Sequence, residues 1–126
     1  MAVGERSTLT RQELALMKVV WRQGPATVRE VYEALRSERR VAYTTVLTVM
    51  NILESKGYLR KEPEKRANRY HPTMTQAQVL RALVRDFVDR VFDGAPAPLL
   101  AHLVTDTRMS KAERAELQRI VRGTKQ

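Results

Sequence analysis

The chain has 126 residues, with 23 Lys and Arg against 14 Asp and Glu, a net charge of +9 at neutral pH and no cysteine. That length holds one domain, or a small domain with an oligomerisation arm, and the basic excess fits a polyanionic partner whose condensed counterions it would release. The missing cysteine excludes disulfide scaffolds, thiolate metal sites and cysteine nucleophiles. The opening ten residues lack an apolar signal core and no run reaches the ~18 apolar residues of a membrane span, so a cytoplasmic protein is expected.

Thr10 followed by Glu13 has the spacing of a capping box and opens a helix reaching Arg22, with Leu14, Met17, Val20 and Trp21 on one apolar face. Gly24-Pro25 ends it. Thr27 with Glu30 opens a second, short helix to Arg36, whose stripe is Val28, Val31, Tyr32 and Leu35. After a polar turn, a third helix is predicted over residues 43–56, stopped by Gly57, which tolerates a left-handed C-cap. Residues 58–61 and 69–71 read as short strands around a polar tip at 62–68. Three helices and then a basic hairpin is the order of a winged helix-turn-helix, assigned here to residues 1–73.

Residues 74–126 differ in kind. Thr75 with Gln78 starts a long helix to Phe92; residues 93–98 break it; a short helix follows over 99–104, and Ser110 with Glu113 opens a last one. Leu80, Leu83, Val84, Phe87, Val88, Val91, Leu100, Leu103, Leu117 and Ile120 carry more apolar surface than so thin an extension can bury within itself. Stripes of that size mark an interface, and a homodimer is the commonest solution. The expected fold class is therefore mainly α with a small β-hairpin wing: a winged helix-turn-helix plus a C-terminal helical dimerisation region.

The third helix carries the chemistry. Val46, Val49, Met50 and Leu53 follow helical spacing and must face the first two helices, which leaves Thr44, Thr45, Leu47, Thr48 and Asn51 outward. A solvated helix face normally carries Lys, Glu or Arg, better helix formers than Thr. Short uncharged hydrogen-bonding side chains suit base edges instead: Thr can bond a base or touch a thymine methyl, and Asn can bond adenine bidentately. From Arg36 to Arg69 stand nine basic residues (Arg36, Arg39, Arg40, Lys56, Arg60, Lys61, Lys65, Arg66, Arg69) against four acidic (Glu38, Glu54, Glu62, Glu64). Arg39 and Arg40 flank the start of the reading helix, while Lys65, Arg66 and Arg69 crown the wing, placed for phosphate or the minor groove.

Catalysis is not expected. The two histidines, His71 and His102, lack metal-ligand spacing, and no phosphate loop, nucleophile elbow or HExxH is present. No metal or cofactor is implied. Two non-enzymatic alternatives stay open on the residues alone: a winged-helix adaptor that binds protein rather than specific DNA, and a ligand-sensing regulator with a pocket near Phe87, Phe92 or Met109.

Residues 42–50, with their continuation 53–59, resemble the recognition helix of the penicillinase-repressor family, the BlaI/MecI type. Glu13-Leu14, Met17 and Val20-Trp21 in the first helix, Thr27 to Val31 in the second, and residues 66–72 in the wing extend the resemblance over nearly the whole chain, looser after residue 70. It implies a dimeric repressor on a palindromic double-stranded operator, with Tyr43 joining the DNA-contacting residues and the C-terminal helices holding the dimer. It also implies a membrane sensor-protease as a partner, which in the family leads to cleavage near the last helices. The matching segment here, residues 103–107, lacks the Asn-Phe pair of the staphylococcal members, and without cysteine the chain departs from the copper-responsive branch.

Overall fold

A computed structural model describes residues 8–106 and 108–123. Residues 1–7, which include most of the segment read above for a signal core, lie outside the described residues, as does residue 107 at the end of the cleavage-matching segment. Six helices and one hairpin follow in the order α1 (Arg11–Gln23), α2 (Val28–Arg36), α3 (Tyr43–Ser55), β1 (Leu59–Glu64), β2 (Ala67–Pro72), α4 (Gln76–Val91), α5 (Pro96–Val104) and α6 (Lys111–Gly123). They form two compact units that divide within α4, between Leu83 and Val84.

Local chemistry starts the helices where the sequence places them. At α1 the Thr10 hydroxyl accepts from Glu13 N–H at 3.1 Å while the Glu13 carboxylate accepts from Thr10 N–H at 2.9 Å. The same reciprocal pair forms at Thr27 with Glu30, Thr75 with Gln78, and Ser110 with Glu113. Each pair satisfies two backbone N–H groups that a helix start would leave to water. Gly57, at φ 90°, follows the last turn of α3 and turns the chain into β1.

The N-terminal unit is built on one core. Leu16, Met17, Val19 and Val20 of α1, Val31 and Leu35 of α2, and Val46, Val49, Met50 and Leu53 of α3 are buried together with Tyr58, Leu59 and Tyr70. The α1 face is wider than the stripe read from the sequence: Leu16 and Val19 are buried and Leu14 is only half-buried, because α1 is covered by α2, α3 and the hairpin at once. Val79 is buried in this core and Leu83 packs against it. The unit therefore runs through the first two turns of α4, ten residues past the boundary expected at 73. Trp21 Nε1 donates to the Met74 carbonyl at 3.0 Å and pins the start of that segment.

The wing is longer and its tip tighter than expected. β1 and β2 pair antiparallel from Leu59↔Pro72 to Glu64↔Ala67, leaving only Lys65 and Arg66 as the turn. Pro63, inside the tip expected at 62–68, lies in β1; a two-stranded sheet has only edge strands, which spare a proline its missing N–H. Tyr70 also exchanges backbone hydrogen bonds with Ala26 (2.8 and 3.0 Å), tying the wing to the α1–α2 turn.

The second unit holds the end of α4, α5 and α6. Gly94 (φ 84°) closes α4, its N–H reaching the Val88 carbonyl at 3.0 Å. α5 begins at Pro96, earlier than the expected 99, since proline in a first turn loses no hydrogen bond. Phe92 lies between Phe87 and His102, ring centroids 5.9 and 5.8 Å away. Neither α5 nor α6 buries a single described residue.

Candidate nucleic-acid interface

α3 keeps one side for the core and one for solvent. Val46, Met50 and Leu53 are fully enclosed and Val49 nearly so, while Thr44, Leu47, Thr48 and Ser55 are exposed and Thr45 is half-buried. A helical repeat of 3.6 residues puts Thr44, Thr48 and Ser55 in one row, with Leu47 on one flank and Ile52 on the other. Leu47 and Ile52 are each 39% exposed, unusual for branched aliphatics on the open face of a helix. Ile52 and Ser55 were not singled out from the sequence; Ile52, four residues after Thr48, was legible from the same helical spacing.

Tyr43 opens α3 and is 37% exposed. Its ring meets Tyr32 edge-on at 5.5 Å, and the Arg29 guanidinium lies 5.0 Å from its centroid. Arg36 covers Tyr32 at 5.5 Å. This cluster of α2 and α3 holds the first turn of the helix by cation–π attraction as well as area. The signal for it is Arg29, Tyr32 and Arg36 at helical spacing on α2, where Tyr32 is read from the sequence as stripe and Arg36 as charge.

The nine basic residues separate once their partners are seen. Lys56 Nζ is 2.8 Å from Glu13 Oε1 and 3.0 Å from the Thr8 carbonyl, so it locks the end of α3 to the start of α1. Burial pushes the Glu13 pKa up, but the hydrogen bonds from Lys56 and Thr10 outweigh it and leave it lowered. Arg36 pairs with Glu33 and Arg60 with Glu62.

Arg69, read as a DNA contact, is committed to the protein. It donates to both oxygens of Glu64 (2.7 and 2.9 Å), to Glu30 at 3.1 Å and to the Pro25 carbonyl at 3.0 Å. A planar guanidinium bridging two carboxylates and a carbonyl fastens the wing to α2 and has little left for phosphate. The Glu64 bond raises the Arg69 pKa and lowers that of Glu64. Asn51 is likewise engaged: half-buried, it accepts at Oδ1 from the Tyr70 hydroxyl at 2.9 Å and from Lys61 Nζ at 3.5 Å.

What remains uncommitted is compact. Arg39 and Arg40 in the α2–α3 turn, and Lys65 and Arg66 at the wing tip, are exposed and form no ion pair among the described residues; Lys61 of β1 is also exposed without an ion pair and donates to Asn51 at 3.5 Å. Lys65 takes a left-handed φ of 53° at the two-residue turn. Uncharged donors on one helix face, flanked by free cations in the preceding turn and on a protruding hairpin, can seat in a major groove and neutralise phosphates on either side.

Of the expected interface residues in the second unit, Val84, Phe87, Val91, Leu100, Leu103 and Ile120 are exposed, as is Val121, while Leu117 is half-buried in the groove between α5 and α6. Leu80 is also half-buried. Leu83 is partly buried against the N-terminal core and Val88 is buried within the chain, so each has little surface left for a partner. No group of three or more His, Cys, Asp or Glu able to hold a metal occurs among the described residues, nor does any described helix have the length and apolarity to cross a membrane.

Residues 9–123 match the family model described as penicillinase repressor. The transcriptional regulator BlaI of Mycobacterium tuberculosis is 35% identical over 103 residues, covering 80% of this chain and 75% of the relative. The penicillinase repressor of Bacillus licheniformis is 25% identical, covering 86% and 85%. Among solved structures, the DNA-binding domain of the repressor BlaI superposes with a TM-score of 0.53 at 25% identity over 60% of this chain and 89% of that one. The monomeric form of Bacillus licheniformis BlaI in complex with the blaP half-operator gives 0.50 at 27% identity, over 56% and 87%.

Proposed function

The chain belongs to the penicillinase repressor family, and on that footing we propose that it is a sequence-specific DNA-binding transcriptional repressor, not an enzyme. α3 enters the major groove with Thr44, Leu47 and Thr48 at the base edges and Thr45 beside them. Tyr43, Arg39 and Arg40 lie against the backbone near the helix start, and Lys65 and Arg66 reach phosphate or the minor groove from the wing. The observation that carries this is the division of charges: Arg36, Lys56, Arg60 and Arg69 are held in ion pairs, and the exposed cations left without one flank the open, uncharged face of α3.

The protein acts as a homodimer on a palindrome, through the exposed apolar side chains of α5, α6 and the end of α4. A helical unit in which neither α5 nor α6 fully buries a described residue needs a second surface to do so. A sensor-protease is not included, since residues 103–107 lack the pair of residues at which the resemblance places cleavage.

The test is competition binding across salt. The protein should select one short palindrome, bind random duplex ~10³-fold or more weakly, and lose affinity steeply as salt rises. Equal affinity for its own promoter and for random DNA would remove the repressor reading and favour a protein-binding role.

A further inference from the structure

Three elements meet at one side-chain amide. Asn51 of α3 accepts at Oδ1 from the Tyr70 hydroxyl of β2 (2.9 Å) and from Lys61 Nζ of β1 (3.5 Å). Lys61 and Tyr70 face each other in the hairpin register, so the contact closes on both strands at one level. Tyr70 is firmly held: the residue is 2% exposed and both its backbone groups are bonded to Ala26. Burial raises its pKa, the direction that favours the protonated, donating hydroxyl.

A bidentate adenine contact needs the amide oxygen to accept from the base while the NH₂ donates. Here that oxygen is already taken. Turning it to DNA would leave the Tyr70 hydroxyl without its acceptor in a half-buried position, which works against the turn. Asn51 nevertheless joins α3 to both strands of the wing, and no other α3 side chain bonds a wing side chain among the described hydrogen bonds.

We infer that Asn51 is a positioning residue that sets the wing against the recognition helix, so that Lys65 and Arg66 reach phosphate when Thr44 and Thr48 are seated in the groove. This rests on the DNA-binding reading above. Asn51 thus contributes to affinity through the wing and carries no base preference of its own. Tyr70 and Asn51 act as one unit, and removing either partner does what removing both does.

The experiment begins with the duplex that the wild-type chain selects from a randomised pool. Affinities of wild type, Asn51→Ala, Tyr70→Phe and the double variant are then measured on that duplex, on its single-base-pair variants and at several salt concentrations. Tyr70→Phe keeps the buried ring, so it folds even where the alanine variant is weakened. Each single variant should bind about 3- to 10-fold more weakly, evenly across the base-pair panel. The salt slope should be shallower by about one or two as wing phosphate contacts are lost, and the double variant should be no worse than the weaker single one. A preference changed at one base pair by Asn51→Ala, with Tyr70→Phe binding like wild type, would overturn the inference and restore a direct base contact. Losses that multiply in the double variant, unchanged binding in both single variants, or a lowered melting temperature with the salt slope intact would overturn it as well. A wild-type chain that selects no duplex at all fails earlier, at the DNA-binding reading, and takes this inference with it.

Discussion

Thr48 and Glu13 illustrate how differently single residues contribute. Thr48 is exposed on the open row of α3 and bonds nothing within the protein among the described hydrogen bonds, so on the proposed reading its cost in helix propensity is recovered in the DNA complex. Thr48→Ala should leave the melting temperature unchanged or slightly higher while weakening discrimination at one or two operator positions by ~1–3 kcal/mol, measured on a panel of operator variants. Glu13 is the reverse case, a carboxylate 5% exposed that caps α1 and holds Lys56. Its folded pKa is lowered from 4.5, so its stabilisation is full above that value and is lost as the pH falls through the folded pKa. Glu13→Gln should cost about 1–3 kcal/mol at neutral pH, as charged hydrogen bonds do. It should also flatten the acid limb of the stability curve, read as urea midpoints from neutral pH downward. An acid limb as steep as that of wild type would show that other carboxylates set it.

At the scale of elements, the wing is a hairpin fastened at three points: Arg69 to Glu64 and Glu30, Tyr70 to Ala26, and Asn51 to both strands. Its tip is where stability and binding pull apart. Lys65 holds a left-handed backbone, which a side chain bearing a Cβ adopts at a cost of ~1–2 kcal/mol. Lys65→Gly should therefore raise the melting temperature and, by deleting a free cation, lower DNA affinity evenly across sequences with a salt slope shallower by about one. A variant both more stable and equally tight in DNA binding would show that the tip does not touch phosphate. A tip residue that costs folding stability is what the proposed phosphate contact would require.

At the scale of the whole molecule, the N-terminal unit has its own core and the C-terminal unit has almost none. Leu83→Asp, an obvious interface probe from the sequence, would strike the core on which Leu83 packs. Val91 and Ile120, 50% and 49% exposed, are the better probes. Val91→Asp or Ile120→Asp should leave the winged unit folded, shift the sedimentation coefficient to that of a monomer, and weaken binding to a full palindrome far more than to a half-site. Burying the new carboxylate between two copies would cost several kcal/mol, whereas on an exposed surface it costs little. A dimer that persists in both variants would move the interface away from these helices.

Local sequence signals are enough to place the elements and the open face of α3. Capping pairs, glycine stops and helical spacing are local, so four helix starts, the end of α3 and its division into a buried and an open side were legible without coordinates. Which polar residues are free depends on the folded packing. Lys56, Arg69 and Asn51 look like DNA ligands in a linear count of charge and hydrogen-bonding groups. Their partners stand 43 residues away at Glu13, 39 at Glu30 and 19 at Tyr70, distances over which no periodicity carries information. Pairing depends on which side chains the packed core brings within 3 Å of each other, and that is a property of the fold. The same holds for Leu83, apolar at interface spacing, whose place in the N-terminal core follows from where α4 starts rather than from its own sequence.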